Sequence, residues 1–340
     1  MRFAPQGGRQ WLAALGRLLV LLVVLMMTFL PLLRMPSSSF SGPLPGLSGA
    51  EELCAQRLAD HVRTLAREIG PRNIWTPGSM AATSHYLKTE LTSMGYEVQK
   101  QEVASERGPV FNLEVELPGQ ELASEIVVVG AHYDTVANSP GANDNGSGVA
   151  VLLELARLLV DIRPQRTIRL VAFANEEPPF FLNNAMGSRV YAGRARERQE
   201  DITAMVALET MGFYSDEPDS QAYPFPLGHL YPDQANFIAF VGNVSSRRLV
   251  RQAIGAFRDH GHFPSQGVAA PAFLMGVGWS DHSSFWAEGY PAIMVTDTAF
   301  YRYHAYHTPW DTPEKLDYVR LARVVSGLVP TIRELAMAPP

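Results

Sequence analysis

The feature that most constrains the fold is a set of apolar, β-branched runs that each lead to acidic or imidazole side chains. The run IVVVGA leads to His132 and Asp134, TIRLVAFA leads to Glu176 and Glu177, and ITAMVAL leads to Glu209. Such runs, when they alternate with helical patterns, are typical of a parallel sheet that is buried on both faces. Ligands of these sheets bind outside the carboxyl ends of the strands, so we expect the side chains to converge on one crevice.

The pattern predicts one α/β domain with a mostly parallel central sheet over residues 50–340. Helices are predicted at 81–94, 148–162, 187–193, 246–260 and 316–337, and the last strands are predicted at 238–242, 268–273 and 292–296. The segment 211–234 is long and contains several Pro, Gly and aromatic residues, so we expect a loop over the crevice. No internal repeat or second domain is evident.

The first 34 residues are predicted to be a separate segment, and residues 35–49, rich in Pro, Ser and Gly, a linker. Arg2, Arg9 and Arg17 precede an uncharged apolar run over residues 18–33, which would span roughly 24 Å as a helix, against ~30 Å of hydrocarbon. A cleaved signal peptide and an uncleaved transmembrane signal anchor both fit. The basic flank predicts an extracytoplasmic catalytic domain, either membrane-anchored (periplasmic or cell-surface) or secreted.

The composition limits which ligands and metal-binding side chains this chain can use. The net charge of −6 and the lack of a dense Lys/Arg run give no indication of nucleic-acid binding. Cys54 is the only cysteine, so an intramolecular disulfide and a thiolate metal site are both excluded. Any metal ion must therefore be bound by His, Asp and Glu.

Five side chains have the types and positions expected of metal ligands. They are His132, Asp144, Glu177, Glu209 and His307. Zinc accepts imidazole nitrogen and carboxylate oxygen, and three carboxylates with one hydroxide balance two divalent ions. One carboxylate must then be shared, and Asp144 is the candidate because it lies on a Gly-flanked loop at a helix start. Two metals about 3.5–4 Å apart can together activate a water and polarise a carbonyl.

Two further acids are predicted to support this site. Asp134 lies two residues after His132, so it can reach behind the imidazole and bond the other ring N–H. Glu176 precedes Glu177, and neighbours at a strand end point in different directions. One can therefore bind metal while the other faces the water, and Glu176 is predicted to be the general base that passes a proton to the leaving amine.

Taken together, the motifs of this region resemble those of the di-zinc aminopeptidases of metallopeptidase family twenty-eight. The resemblance covers about residues 71–318 and is carried by HYD, GANDNGSG, the EE pair, LETMG, SDHSSFW and YHTPWDTPEKLD. It implies a phosphorylase-like, three-layer α/β/α zinc exopeptidase fold that acts on peptides with a free amino terminus. The third acid of the family is often Asp, whereas this chain has Glu209.

The resemblance also implies individual roles. One zinc would be held by His132, Asp144 and Glu209, and the other by Asp144, Glu177 and His307. Glu176 matches the family's general base, and Tyr306 matches a tyrosine that steadies the oxyanion in some members. A non-proline cis peptide bond is implied after Asp144. Other divalent metals fit the same ligand set.

Two other functions fit parts of the pattern. A glutaminyl-cyclase-like zinc aminoacyltransferase shares the HYD motif and an EE-like pair, but it binds one zinc. The NDNGSG loop and the complete set of five ligands favour the two-metal hydrolase. An inactive receptor-like ectodomain should lack ligands, and none is missing here.

Overall fold

The computed structural model describes residues 7–225 and 227–337. Their strands are β1 (Gln99–Val103), β2 (Val110–Leu117), β3 (Leu122–His132), β4 (Arg166–Phe173), β5 (Asp201–Glu209), β6 (Ile238–Asn243), β7 (Ser265–Ala270) and β8 (Ala292–Thr296). These eight strands form one sheet in the order β1-β2-β4-β3-β5-β8-β6-β7. The central pairs β4–β3, β3–β5 and β5–β8 are parallel. The sheet is thus mostly parallel, with antiparallel pairs where β1, β2 and β6 join it.

The helices of the described residues are α1 (Gly8–Leu33), α2 (Gly49–Arg63), α3 (Ser79–Ser93), α4 (Gly148–Leu159), α5 (Gly187–Glu197), α6 (Arg247–His260), α7 (His282–Ala287) and α8 (Tyr318–Leu335). Buried side chains of α2, α4, α6 and α8 form one core with one face of the sheet. Side chains of α5 and α7 form a second core with the other face. The chain therefore has helices on both sides of the sheet, a three-layer arrangement.

The alternation of side chains along β3 explains why this strand lies in the middle. Val127 and Val129 belong to the core under α4 and α8, whereas Ile126 and Val128 belong to the core under α5 and α7. A strand that is apolar on both faces is stable only where both faces are covered. The continuous apolar run in the sequence reflects this double burial.

One part of the sheet has a different cover. A small separate core lies on this part of the sheet. It contains Ala239 and Val241 of β6, Phe237 just before that strand, Met294 of β8 and Val277 of a loop. Loops 211–234 and 271–281, rather than a long helix, cover most of this face of β6, β7 and β8.

One predicted strand differs from the structure, and one short helix of the structure was not predicted. The strand predicted at 268–273 begins earlier and ends at Ala270, because Pro271 has no N–H for the ladder. Phe273 is consequently 85% exposed in the following turn. Helix α7 was not predicted, since its six residues are too few to show a helical period.

The N-terminal segment is helical, as α1 shows, and Trp11, Leu12 and Leu15 on it are exposed. None of the helices in the described part of the chain is long and apolar enough to span a membrane. The linker lies against the domain: Arg258 Nη1 donates to the carbonyl of Pro36 at 3.1 Å, and the backbone N–H of Ser265 donates to Ser39 Oγ at 2.9 Å. The predicted domain boundaries and the anchor or signal role stay predictions.

Candidate metal centre

The carboxyl ends of three neighbouring strands place four of the predicted side chains side by side. His132 is the last residue of β3, Glu209 is the last residue of β5, and Glu176 and Glu177 follow β4. Because β3 pairs in parallel with both β4 and β5, these three strand ends lie at one edge of the sheet. All four side chains are buried.

Asp144 reaches the same edge from a tight loop between β3 and α4. The loop begins at Gly141, whose φ of +63° is a conformation that L side chains rarely adopt, and a Cβ there would lie 2.5 Å from the carbonyl oxygen of Asp144. The Asp144–Asn145 peptide bond is cis. The backbone of Asp144, with φ −109° and ψ 96°, is not helical, so this residue lies outside the regular helix that follows.

The carboxylate of Asp144 lies between two groups of ligand atoms. On one side, His132 Nε2 is 3.4 Å from Asp144 Oδ1 and 3.2 Å from Glu209 Oε2. On the other side, His307 Nε2 is 2.9 Å from Asp144 Oδ2 and 3.2 Å from Glu177 Oε2. The five side chains thus form two three-residue groups that share Asp144, each with its ligand atoms within 4.8 Å of one another.

A third grouping joins His132 with Glu176 and Glu177. Here the contact is looser, since Glu176 Oε2 is 3.9 Å from His132 Nε2. Glu176 therefore lies at the margin of the first group, facing the crevice.

The protonation of the two histidines is governed by the surrounding carboxylates. Burial alone would lower the pKa of His132, but Glu209 and Glu176 outweigh it and raise that pKa well above its usual value. Burial is likewise outweighed at His307, where Asp144 and Glu177 raise the pKa to about 10. Both imidazoles lie in a negative environment that stabilises added positive charge.

The pKa values of the carboxylic acids are shifted by the same two factors, burial and neighbouring charges. Burial and the nearby charge of Asp144 raise the pKa of Glu177 to about 8. For Asp144, burial opposes ionisation, but hydrogen bonds with His132 and His307 lower its pKa below the usual range. Burial also raises the pKa of Glu176. Several carboxylates so close together need cations to remain ionised.

The donor set fits divalent zinc. Imidazole nitrogens and carboxylate oxygens are ligands that zinc accepts, and the two groups each contain one histidine. Glu177 Oε1 is buried and has no hydrogen-bond partner, which leaves a carboxylate oxygen free in the cluster. An unpartnered buried oxygen is costly unless a cation or donor satisfies it.

Asp134 occupies the predicted place behind His132 but makes different contacts. His132 Nδ1 is 3.2 Å from the backbone carbonyl of Asp134 and 3.6 Å from its carboxylate. The carboxylate instead accepts the backbone N–H groups of Glu176 and Glu177, at 2.9 and 3.1 Å. Asp134 thus ties the end of β3 to the end of β4, and the carbonyl, not the carboxylate, is the nearer partner of the ring.

Tyr306 lies beside the second group. Its ring stacks on that of His307, with centroids 3.9 Å apart and an angle of 14° between the planes. Burial and the nearby carboxylates raise the pKa of Tyr306 well above its usual value, so its hydroxyl keeps its proton as a donor. His304, by contrast, is exposed.

Sequence reasoning missed several residues that hold the ligands in place. Asp311 accepts the backbone N–H groups of Asn143 and Asp144 through its two carboxylate oxygens, at 2.8 and 3.0 Å. The hydroxyl of Ser280 donates to Glu209 Oε2 at 2.7 Å. Both lie in motifs noted in the sequence, WDT and SDH, but the motifs alone do not reveal which backbone groups they bind.

Arg72 was also missed, although it is fully buried. Its guanidinium donates to the carbonyls of Tyr133, Pro140 and Gly141, each at 2.7 Å. Burial lowers the pKa of Arg72 to about 10, and the group remains charged at neutral pH. A buried cation therefore joins the segment after His132 to the loop before Asp144.

These groups open into one crevice. The residues that line it are Asp144, Glu176, Glu177, Pro178, Phe181, Glu209, Trp279, Tyr306 and His307. Side chains that could bind metal, move a proton and donate to an oxyanion therefore face one cavity. This is the set of functions that metal-assisted hydrolysis requires.

Sequence comparison identifies relatives of this chain. The chain is 38% identical over 283 residues to YfbL, an uncharacterized protein of Escherichia coli (strain K12), covering 81% of this chain and 86% of YfbL. It is 29% identical over 201 residues to aminopeptidase YwaD of Bacillus subtilis (strain 168), covering 58% of this chain. The chain spans only 38% of the length of YwaD.

Solved structures share the fold. BSAP, a zinc aminopeptidase from Bacillus subtilis, superposes with a TM-score of 0.65 at 16% identity, covering 83% of this chain and 95% of BSAP. The glutaminyl cyclase of Porphyromonas gingivalis superposes with a TM-score of 0.61 at 19% identity, covering 83% of this chain and 98% of that protein.

The family itself is shown by sequence. The pattern of Peptidase family M28 matches residues 112–331, which contain all five residues of the two ligand groups. That match extends over more than half of the chain. The chain therefore belongs to peptidase family M28.

Proposed function

We propose that this chain is a zinc-dependent aminopeptidase that removes the first residue from peptides with a free amino terminus. The observation that carries the proposal is the position of Asp144, whose two oxygens face two separate histidine–carboxylate groups. In the same crevice lie an acid outside those two groups, Glu176, and a protonated phenol, Tyr306.

Each side chain has a distinct task in the proposed reaction. His132, Asp144 and Glu209 would hold one zinc ion, and Asp144, Glu177 and His307 the other. Zinc in such sites supplies Lewis-acid chemistry, which polarises a carbonyl and acidifies water.

Glu176 takes a proton from the attacking water and delivers it to the leaving amine. The Tyr306 hydroxyl donates to the oxygen of the tetrahedral intermediate. Asp134 holds the backbone of Glu176 and Glu177, so that these two neighbouring acids keep different directions.

Metal depletion tests this function directly. We expect the purified chain to release p-nitroaniline from aminoacyl p-nitroanilides, to lose this activity after dialysis against a chelator, and to regain it when zinc is added. Cobalt and manganese are tested in parallel. Activity that survives complete removal of metal would contradict the proposal.

A second candidate is a glutaminyl cyclase, because the chain shares its fold with such an enzyme from Porphyromonas gingivalis. Asp144 belongs to two ligand groups, and this favours the two-metal hydrolase, because an enzyme that binds one metal ion needs only one such group. Incubation with a peptide that begins with Gln separates the two. Release of free Gln supports the aminopeptidase, whereas loss of ammonia with formation of pyroglutamate supports the cyclase.

We also propose that residues 1–34 carry the catalytic domain, residues 50–340, across a membrane, as a signal anchor or a signal peptide. Support comes from the uncharged run 18–33 behind Arg2, Arg9 and Arg17, and from the exposed apolar side chains of α1. Protease treatment of intact cells that express the full chain tests this. N-terminal sequencing of the recovered domain distinguishes an anchor from a cleaved signal, and a domain protected inside the cytoplasm would contradict both.

A further inference from the structure

A second cavity adjoins the catalytic crevice. The two cavities share Glu209, Trp279 and Tyr306 in their linings, so they meet beside the proposed metal centre. Glu176, which delivers the proton to the leaving amine in the proposed reaction, lines the crevice but not this second cavity. The leaving group therefore lies on the crevice side, and the second cavity receives the group attached to the scissile carbonyl.

The cavity is long in the direction across the strands. Its floor starts at Glu209 of β5 and continues over Met294 of β8, Ala239 and Val241 of β6, and Val268 of β7. These four strands are consecutive in the sheet. Three spacings between strands amount to roughly 14 Å, which is longer than any natural amino-acid side chain. The cavity exists because loops, rather than a closely packed helix, cover this face of the sheet.

Most polar side chains of its lining already have hydrogen-bond partners within the protein. The hydroxyls of Tyr223, Tyr231 and Tyr301 donate to the backbone carbonyls of Pro232, Gly267 and Met275, at 2.6, 2.8 and 3.2 Å. The side-chain amide of Gln221 donates to the carbonyl of Ala222 and the hydroxyl of Thr298, and its oxygen accepts from Arg302. A ligand in the cavity therefore meets mainly carbon atoms.

The lining also excludes long charged groups. Among the described residues that line the cavity, Glu209 at the mouth is the only charged one. A Lys or Arg side chain could extend far into the cavity, but its charge would then be buried without a partner, at a large cost in free energy. Leu and Phe side chains are apolar but too short to reach Val268 from the metal centre. A linear alkyl chain meets both requirements.

We propose that this cavity binds the alkyl chain of a long-chain acyl group, so that the enzyme hydrolyses N-acyl amides of fatty acids. The inference rests on the hydrolytic site proposed above. Water attacks the acyl carbon, a C–O bond forms, and the C–N bond breaks. One proton passes through Glu176 to the amine, and the products are a fatty acid and a free amine.

The test uses the zinc-loaded full chain and N-acyl phenylalanines from butanoyl to tetradecanoyl. We expect kcat/KM to rise roughly threefold to fourfold for each added methylene, as each is buried against the sheet, until the chain reaches β7. Val268→Trp, which fills the far end of the cavity, should move the best chain length to shorter acyl groups. Ala82→Trp, an equivalent change at an exposed position of α3, should leave it unchanged.

Binding provides a measurement independent of catalysis. We expect calorimetry to show that the zinc-loaded protein binds dodecanoate, the product fatty acid, with a negative heat-capacity change, and that Val268→Trp weakens this binding at least tenfold. Failure to bind dodecanoate would overturn the inference whatever the activity, and so would acyl hydrolysis that is independent of chain length. Cleavage of leucine p-nitroanilide without cleavage of any N-acyl phenylalanine would also overturn it, while leaving the proposed aminopeptidase intact. Cleavage of neither substrate by a zinc-loaded protein that binds dodecanoate would instead contradict the proposed function.

Discussion

The carboxylate of Asp311 accepts the backbone N–H of Asp144 at 3.0 Å, although 167 residues separate the two in the chain. Its other oxygen accepts the N–H of Asn143 at 2.8 Å and the hydroxyl of Tyr303 at 2.8 Å. The loop that carries the shared carboxylate is therefore held from outside by another acid. The direction of the Asp144 side chain depends on that acid as much as on its own loop.

Replacing Asp311 by Asn should weaken metal binding. An amide has one accepting oxygen, so one of the two backbone N–H groups would face an NH₂ group instead. Loss of such a supporting contact typically costs 10- to 100-fold in metal affinity. Zinc competition with a coloured chelator measures this. Asp317→Asn serves as the control, because the amide oxygen can still cap α8 and the position lies outside the ligand groups. Equal zinc affinity in Asp311→Asn and the native chain would show that the loop holds its shape without Asp311.

Glu176→Gln should separate metal binding from turnover. The amide has nearly the same shape but cannot accept and deliver a proton, so we expect kcat to fall roughly 10²- to 10⁴-fold. Metal content by elemental analysis should equal that of the native chain, because Glu176 lies outside the two groups that share Asp144. A variant that retains full turnover would mean that another group is the base.

Arg72→Met should destabilise the whole domain. The thioether has a similar shape, but the carbonyls of Tyr133, Pro140 and Gly141 would lose their donor in the interior. We expect the free energy of unfolding to fall by about 3 kcal/mol or more. Urea denaturation in the presence of chelator measures this without any contribution from bound metal. The control is Arg248→Met at an exposed position of α6, where a change within about 0.5 kcal/mol is expected.

His282 should make the stability of the domain depend on pH. It is fully buried, its Nε2 lies 2.8 Å from the carbonyl of Val277, and burial lowers its pKa to about 4. The unfolded chain, with a pKa near 6.5, binds the proton more readily. The contribution of neutral His282 is therefore complete above about pH 6.5 and is lost as the pH falls towards 4.

The measurement compares the native chain with His282→Gln by urea denaturation in chelator at several pH values. Between pH 7 and pH 4 the native chain should lose about 3 kcal/mol more than the variant. A difference between the two proteins that stays constant with pH would contradict this role of His282.

The sequence predicted those features that depend on the burial of side chains. The predicted strand range 292–296 matches β8, because this apolar run lies between Pro291 and the charged Asp297. Side chains at the ends of buried strands were expected to converge, and His132 does lie in one group with Glu209 and in another with Glu177.

The features that the sequence did not predict depend on backbone groups. Arg72 and Asp311 bind carbonyls and N–H groups, which every residue carries, so no residue type in the sequence identifies their partners. Asp297 is a supporting residue that the sequence pattern could have revealed. It comes directly after the buried strand β8, much as Glu209 lies at the end of β5, and its carboxylate accepts a hydrogen bond from Asn143 Nδ2 at 2.9 Å in the loop before Asp144.

The contacts of the linker with the domain determine how α1 is joined to the enzyme. Arg258 and Ser265 hold the chain at Pro36 and Ser39, only a few residues after α1 ends. A linker that is bound to the domain so close to the end of α1 cannot act as a long flexible connection. If a surface binds α1, this short connection would limit how far the crevice mouth can turn relative to that surface.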